Sequence, residues 1–222
     1  MQHRNPPTVG RTAHSEIAAE VRRQILSGEL APGTHLVQAN LAHAMGTSIT
    51  PVREALRELA VEGLVDIDAF RGAVVHTPTA AEVEELYAIR HELVPLAVRR
   101  RLATLSPADV ERAATLVDEM RDSADDATWV ELNRRFHRLV ELDPIGSPHL
   151  TNLVRRLIDL SATYVTLTVV LESRRPEADR DHGELVAALR ARDEARLIEL
   201  ARAHLAATLE RARANFARRE VV

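Results

Sequence analysis

The 222-residue chain contains no cysteine and no lysine. Without cysteine there is no disulfide, no thiolate nucleophile and no thiolate metal ligand, and the composition fits a reducing compartment. All 29 basic residues are arginine, set against 33 acidic ones, for a formal net charge of -4. A chain with that balance is not coated in nucleic acid along its length, so any DNA contact must be local. Long apolar runs are missing too. The longest mostly apolar stretch, Leu160 to Leu171, is too short and too rich in Ser and Thr to span a bilayer. The opening MQHRNPPTVGRTAH lacks the apolar centre of a signal peptide. These absences predict a cytoplasmic protein that does not enter a membrane, with residues 1–11 as a flexible arm. No low-complexity tract and no repeat of fixed period is present. The length suits two domains, each able to bury a core.

Residues 12–76 read as three helices and a hairpin. Thr12 or Ser15 caps a helix with Ile17, Val21 and Ile25 at helical spacing, and Gly28 is placed to end it. Ala31-Pro32-Gly33 is turn chemistry. Leu36 to Met45 forms a short second helix ended by Gly46. Ser48 or Thr50 caps a third, with Pro51 in its first turn, where a missing N–H costs nothing. Val52, Ala55, Leu56 and Leu59 make one apolar stripe, and Thr50, Arg53 and Arg57 share a different face. After Gly63, residues 64–67 and 73–75 read as two short strands joined by a tip that carries Arg71. Three helices followed by such a hairpin make a winged helix-turn-helix, whose third helix enters the major groove while the wing follows the backbone or minor groove. The competing reading of that helix is an ordinary amphipathic one with a solvated arginine face; the order of elements favours the first. Residues 1–76 hold seven Arg against eight Asp and Glu. Affinity must therefore come from two copies, a homodimer on a palindromic double-stranded site.

From residue 79 to about 217 the pattern is helical throughout. Thr79-Ala80-Ala81-Glu82 is a capping box, followed by Val83, Leu86, Arg90, Leu93 and Ala97 at helical spacing and by Pro95 inside the helix. Ser106 to Asp109 opens the next helix, which ends near Ser123. Thr128 caps another, with Trp129, Leu132, Phe136 and Leu139 or Val140 inward. Helices over 148–171, 177–191 and 194–217 complete an antiparallel bundle of about six, so the fold class is mainly α. His137, with Asn133 one turn before it, and His182 and His204 on the last two helices all sit among apolar positions. Were they to converge, neutral imidazoles from different helices would hold a divalent transition metal: Zn, Ni, Co, Fe or Mn. Taken singly, each is more simply a hydrogen-bonded core histidine.

The segments ILSGELAPGTHL, LAHAMGTSITPVREALRELAVEGLV and FRGAVV resemble the DNA-binding domain of the GntR family of bacterial transcription regulators, over nearly all of residues 17–75. The resemblance implies that Ser48, Thr50, Pro51 and Arg53 lie at the DNA surface, beside Arg57, with Arg71 and Gly72 in the wing. Ile49 stands where family members commonly carry an arginine. EELYAIRHELVPLA, LNRRFH, DRDHGELVAALRARD and ARAHL resemble the FCD ligand-binding domain of the FadR subfamily, over residues 80–210. That resemblance implies a metal site at Asn133, His137, His182 and His204, with a small carboxylate effector beside it. Asn133 replaces the family's Asp, and Val94 replaces an acidic residue that often follows Arg90 by four positions. Arg90 matches a pocket-facing arginine, a planar fork suited to a carboxylate; the alternative is an interhelical salt bridge. Arg134, Arg135 and Arg138 read as solvated or dimer-facing. The resulting expectation is a homodimeric, effector-controlled transcription regulator, a repressor rather than an activator, and not an enzyme. Its rivals are a metal-dependent enzyme with Glu184 as base, and a bundle that only dimerises.

Overall fold

The structure, a computed structural model, describes residues 13–68, 72–165 and 175–219. The chain divides into two compact units, one holding Ala31–His76 and the residues before Leu26, the other holding Leu26–Leu30 and everything from Thr77.

The first unit contains α1 (Ala13–Leu26), α2 (Gln38–Ala44), α3 (Ile49–Val61), β1 (Val65–Asp68) and β2 (Gly72–Val75). Ile17, Val21 and Ile25 are buried, as are Val52, Ala55, Leu56 and Leu59, so both apolar stripes face the core. Gly46 takes a φ of 61° after α2, which glycine adopts without strain. Thr47 N–H then donates to the Ala42 carbonyl at 2.9 Å and closes the helix, turning the chain into α3. Ser48 occupies the N-cap of α3, but its side chain makes no capping bond. The side-chain cap expected from Ser48 or Thr50 is thus replaced by a bare helix start, with both residues exposed.

β1 and β2 pair antiparallel, from Val65 opposite Val75 to Asp68 opposite Gly72. A third edge joins them. Gly33 N–H donates to the Val75 carbonyl (2.9 Å), Leu36 N–H to that of Ala73 (2.8 Å), and Val75 N–H to that of Thr34 (2.9 Å). The segment after Pro32 therefore satisfies the free edge of β2, where turn chemistry alone had indicated only a bend. Arg71, the expected wing-tip residue, lies outside the described residues.

The second unit contains α4 (Ala80–Thr104), α5 (Pro107–Asp122), α6 (Asp126–Glu141), α7 (Pro148–Val165), α8 (Arg175–Ala191) and α9 (Glu194–Arg219). The boxes at Thr79/Glu82 and Ser106/Asp109 both form, each side chain answering the other's backbone N–H. At α6 the cap is Asp125 rather than Thr128: the Asp125 carboxylate accepts the Thr128 N–H at 2.8 Å and the Thr128 hydroxyl at 2.7 Å. An anion at a helix N-terminus is favoured over a neutral hydroxyl, and the helix starts correspondingly earlier. The expected end of the helix over 148–171 lies outside the described residues. α4 packs against α6, α7 and α9, while α8 packs against α5 and α9. Trp129, Phe136, Leu116, Met120 and Val83 are fully buried between these helices. Among the described residues, no helix is long and apolar enough to cross a membrane.

Candidate functional site

In the first unit, α3 presents Ser48, Thr50, Arg53 and Arg57 to solvent, with Pro51 half-buried among them. Arg53 and Arg57 make no ion pair with any described residue. Glu58 near the end of α3 and Glu62, its C-cap, are treated differently. Arg22 of α1 grips Glu62 with Nε and Nη2, both at 2.7 Å, and reaches Glu58 at 3.1 Å. That bidentate clamp offsets carboxylate charge on the helix that carries the free guanidiniums, leaving them able to meet an external anion. Ile49 is 50% exposed at the start of α3. Gly72 adopts a φ of 76°, and a Cβ there would touch nothing within 4 Å, so conformation rather than space calls for glycine.

In the second unit, packing of α6, α8 and α9 brings His137, His182 and His204 together. Their donor nitrogens lie within 4.8 Å of one another, and the ring centroids are 4.9 to 5.2 Å apart. All three are buried, His182 completely. Burial disfavours the imidazolium, holding His137 at about 4 and His182 well below its ordinary value, so both rings are neutral near pH 7. Among the described residues, neither nitrogen of His182 has a hydrogen-bond partner, and neither does Oδ1 of buried Asn133, one turn before His137. Unpartnered donor atoms are costly inside a protein unless something else satisfies them.

Two carboxylates complete the cluster, and sequence reasoning missed both. Glu141 Oε1 lies 2.9 Å from His137 Nδ1, and Asp181 Oδ2 lies 3.0 Å from His204 Nδ1. Engaging Nδ1 in this way fixes the ring and leaves Nε2 as the free donor, an arrangement common around metal-bound histidines. Burial alone would raise the Glu141 carboxyl, but the Arg90 guanidinium and the His137 hydrogen bond prevail and hold it at about 2. The only advance signal for Glu141 was its position four residues after His137 on one helix. Asp181 gave no signal beyond adjacency to His182.

Arg90 is 5% exposed. Its Nη2 donates to both Glu141 oxygens (2.8 and 3.0 Å) and its Nη1 to Ser161 Oγ (3.0 Å). The interhelical salt bridge that sequence admitted as an alternative is therefore formed. Two small cavities touch the histidines. One, of about 30 Å³, is walled by Val94, Leu102, Leu185 and Leu197 beside His137, Glu141 and His204. The other, of about 20 Å³, lies between Arg90, Asn133, His137, Ser161 and Arg211. Each has room for an ion or about one or two waters. Three buried imidazoles with an adjacent amide oxygen form a donor set that fits a divalent transition metal.

The comparisons with known proteins match this architecture. Residues 85–207 match the FCD domain, and residues 13–75 match the bacterial regulatory proteins of the gntR family. The chain belongs to the GntR family. It is 29% identical over 198 residues to the HTH-type transcriptional regulator McbR of Escherichia coli, covering 84% of this chain and 88% of McbR. It is 31% identical over 148 residues to the HTH-type transcriptional regulator YdhC of Bacillus subtilis. That second match spans 64% of each chain, less than two thirds of the relative's length. The HTH-type transcriptional repressor GlaR of Escherichia coli is 28% identical over 198 residues, covering 83% of this chain and 89% of GlaR. The fold is shared with the solved structure of E. coli McbR/YncC, with a TM-score of 0.77 and 23% identity over 95% of this chain and 99% of that one. A GntR-type protein of Rhodococcus sp. RHA1 has a TM-score of 0.79 at 22% identity, over 90% and 97%. The GntR family and these relatives are transcription regulators, not enzymes. Glu184, the residue an enzymatic reading would use as base, is exposed and paired with Arg196 at 3.1 Å.

Proposed function

We propose that this GntR-family chain is a cytoplasmic repressor of the FadR subfamily that binds a palindromic operator as a homodimer and is released by a small carboxylate. The observation that carries the reading is the convergence of three buried histidines in a chain whose α3 carries exposed arginines. Each winged unit reads one half-site, with Ser48, Thr50, Pro51, Arg53 and Arg57 in the major groove and Arg71 and Gly72 in the wing. Ile49 offers a thymine methyl an apolar contact where an arginine would have met a base or phosphate, so salt dependence is shallower than an arginine there would give.

His137, His182, His204 and Asn133 would hold the divalent ion, which supplies a fixed positive charge for an effector carboxylate. Asn133 contributes no charge to that set. Glu141 and Asp181 offset this from behind the imidazoles by making His137 and His204 stronger donors. Arg90 and Arg211 both line the cavity beside Asn133 and His137, and an effector carboxylate competes with Glu141 for Arg90. The cavities beside the histidines are too small for a metabolite as they stand. Binding must open them, so the effector has different affinities for the closed and opened bundle, which is the condition for shifting a dimer between two arrangements.

The test is His137→Ala, with metal content and co-purified small molecules measured by mass spectrometry alongside operator binding. The variant is expected to lose the metal and effector response while keeping its fold and basal DNA affinity. Retention of a stoichiometric metal would overturn the site assignment. Effector-sensitive DNA binding in the metal-free variant would overturn the control mechanism.

A further inference from the structure

The arginines of the helical unit are not evenly spread. Arg101 of α4, Arg112 of α5, Arg135 and Arg138 of α6 and Arg155 of α7 line one groove of about 440 Å³, where Asp109 is the sole acidic residue of the lining. Five guanidiniums thus face one carboxylate in a chain whose net charge is -4. Two of the five are largely committed. Arg138 is paired with Asp159, and Arg101 gives Nη2 to Asp109 (3.0 Å) and Nε to the Leu139 carbonyl (2.7 Å). The other three are exposed. Arg155 donates to the Asn152 side chain at 2.9 Å, while Arg112 and Arg135 have no hydrogen bond or ion pair with any described residue.

Solvated surface arginines are ordinary, and three of these taken singly need no explanation. The fourth observation does. Arg101 is 2% exposed, and its Nη1 has no hydrogen-bond partner. A buried guanidinium nitrogen without a partner among the described residues, on a side chain that lines a groove where like charges come from four helices, is a donor that an incoming oxyanion would satisfy. The groove is also large enough for a metabolite, since small-molecule pockets span roughly 300 to 1,000 Å³.

We infer that this groove is a second ligand site, separate from the histidine centre, which takes a small phosphorylated metabolite. A single carboxylate brings one charge and two oxygens, too few for guanidiniums arriving from separate helices; a phosphate ester brings about two charges and three acceptor oxygens. Arg101 also lines the cavity that touches His137, Glu141 and His204. On α6, Arg135 and Arg138 reach the groove while Asn133 and His137 serve the interior. An anion that draws Arg101 outward therefore alters a wall of the histidine centre, which gives the groove a route to regulation.

Calorimetric titration of the full chain with sodium pyrophosphate, at about 0.15 M salt to screen non-specific attraction, tests the inference. Saturable binding is expected, weakened at least about tenfold in the Arg112→Ala/Arg135→Ala double variant, since each charge-assisted bond exceeds about 1.4 kcal/mol, and retained in His137→Ala. The substituted arginines are exposed and unpaired, and an unaltered melting curve checks that the fold holds. Equal affinity in wild type and double variant overturns the site, as does binding that disappears in His137→Ala, which would place the anion at the histidines. Tricarballylate binding as tightly as pyrophosphate overturns the phosphate assignment. A double variant with a changed association state and unchanged pyrophosphate affinity makes the groove a contact between copies and ends the proposal.

Discussion

Helices α3 and α6 are both amphipathic, and each carries the polar residues of a candidate site, yet they handle charge in opposite ways. On α3, Arg53 and Arg57 are exposed and make no ion pair among the described residues, while the nearby carboxylates Glu58 and Glu62 are tied back by Arg22. On α6, Asn133 and His137 are buried, and the carboxylate of Glu141 is bound by both His137 and Arg90. The difference follows from what each face has to meet. A DNA phosphate brings its own charge and is approached from water, so its reader gains by being free and solvated. A metal is met by donors that must be unprotonated and correctly turned, which burial and a carboxylate behind the ring achieve.

The sharpest way to break this contrast is Arg53→Ala. A bidentate base contact contributes about 1 to 3 kcal/mol, and a two-fold site loses it twice, so operator affinity should fall at least about 30-fold by fluorescence anisotropy at fixed salt. The melting temperature should not move, because Arg53 has no partner to lose. Unchanged DNA binding would mean that the exposed face of α3 is not the reader.

Glu141→Gln attacks the other side. Metal affinity measured against a competing chelator should drop about 10 to 100-fold, and denaturant unfolding should show a loss of a few kcal/mol because buried Arg90 forfeits its counter-ion. If neither changes, the histidines stand without their supporting carboxylate.

Acid should separate the two regions further. His137 is held at about 4 in the folded chain against 6.5 ordinarily, and His182 is displaced in the same direction. Between those values the unfolded chain binds protons that the folded one refuses, so the chelator-treated protein should lose a few kcal/mol as pH falls from about 6.5 to 4. Glu141, lowered from 4.5 to about 2, extends the loss below pH 4.5. A stability curve that is flat from pH 7 to 4 would show that the histidines are not buried neutral. The smallest effect belongs to Ile49→Arg, which should gain less than about tenfold in operator affinity and steepen the salt dependence by about one phosphate contact per half-site.

Much of this molecule follows from neighbours along the chain. The apolar stripes of α1 and α3, the boxes at Thr79 and Ser106, the left-handed Gly46 and the open face of Arg53 and Arg57 all depend on residues within about one helical turn, where spacing alone decides what meets what. Thr128 failed as a cap because Asp125, three residues earlier, offered the stronger acceptor, a competition visible but unranked in the sequence. The segment after Pro32 that bonds to β2 was hidden because its partner, Val75, is 42 positions from Gly33. The histidines were recognisable as candidates one by one, and their likeness to the FCD pattern grouped them. Only the packing of α6, α8 and α9 decided that they meet, that Glu141 turns between His137 and Arg90, and that five arginines from four helices line a single groove. Those outcomes depend on how side chains from distant helices pack together, which no local period in the sequence specifies.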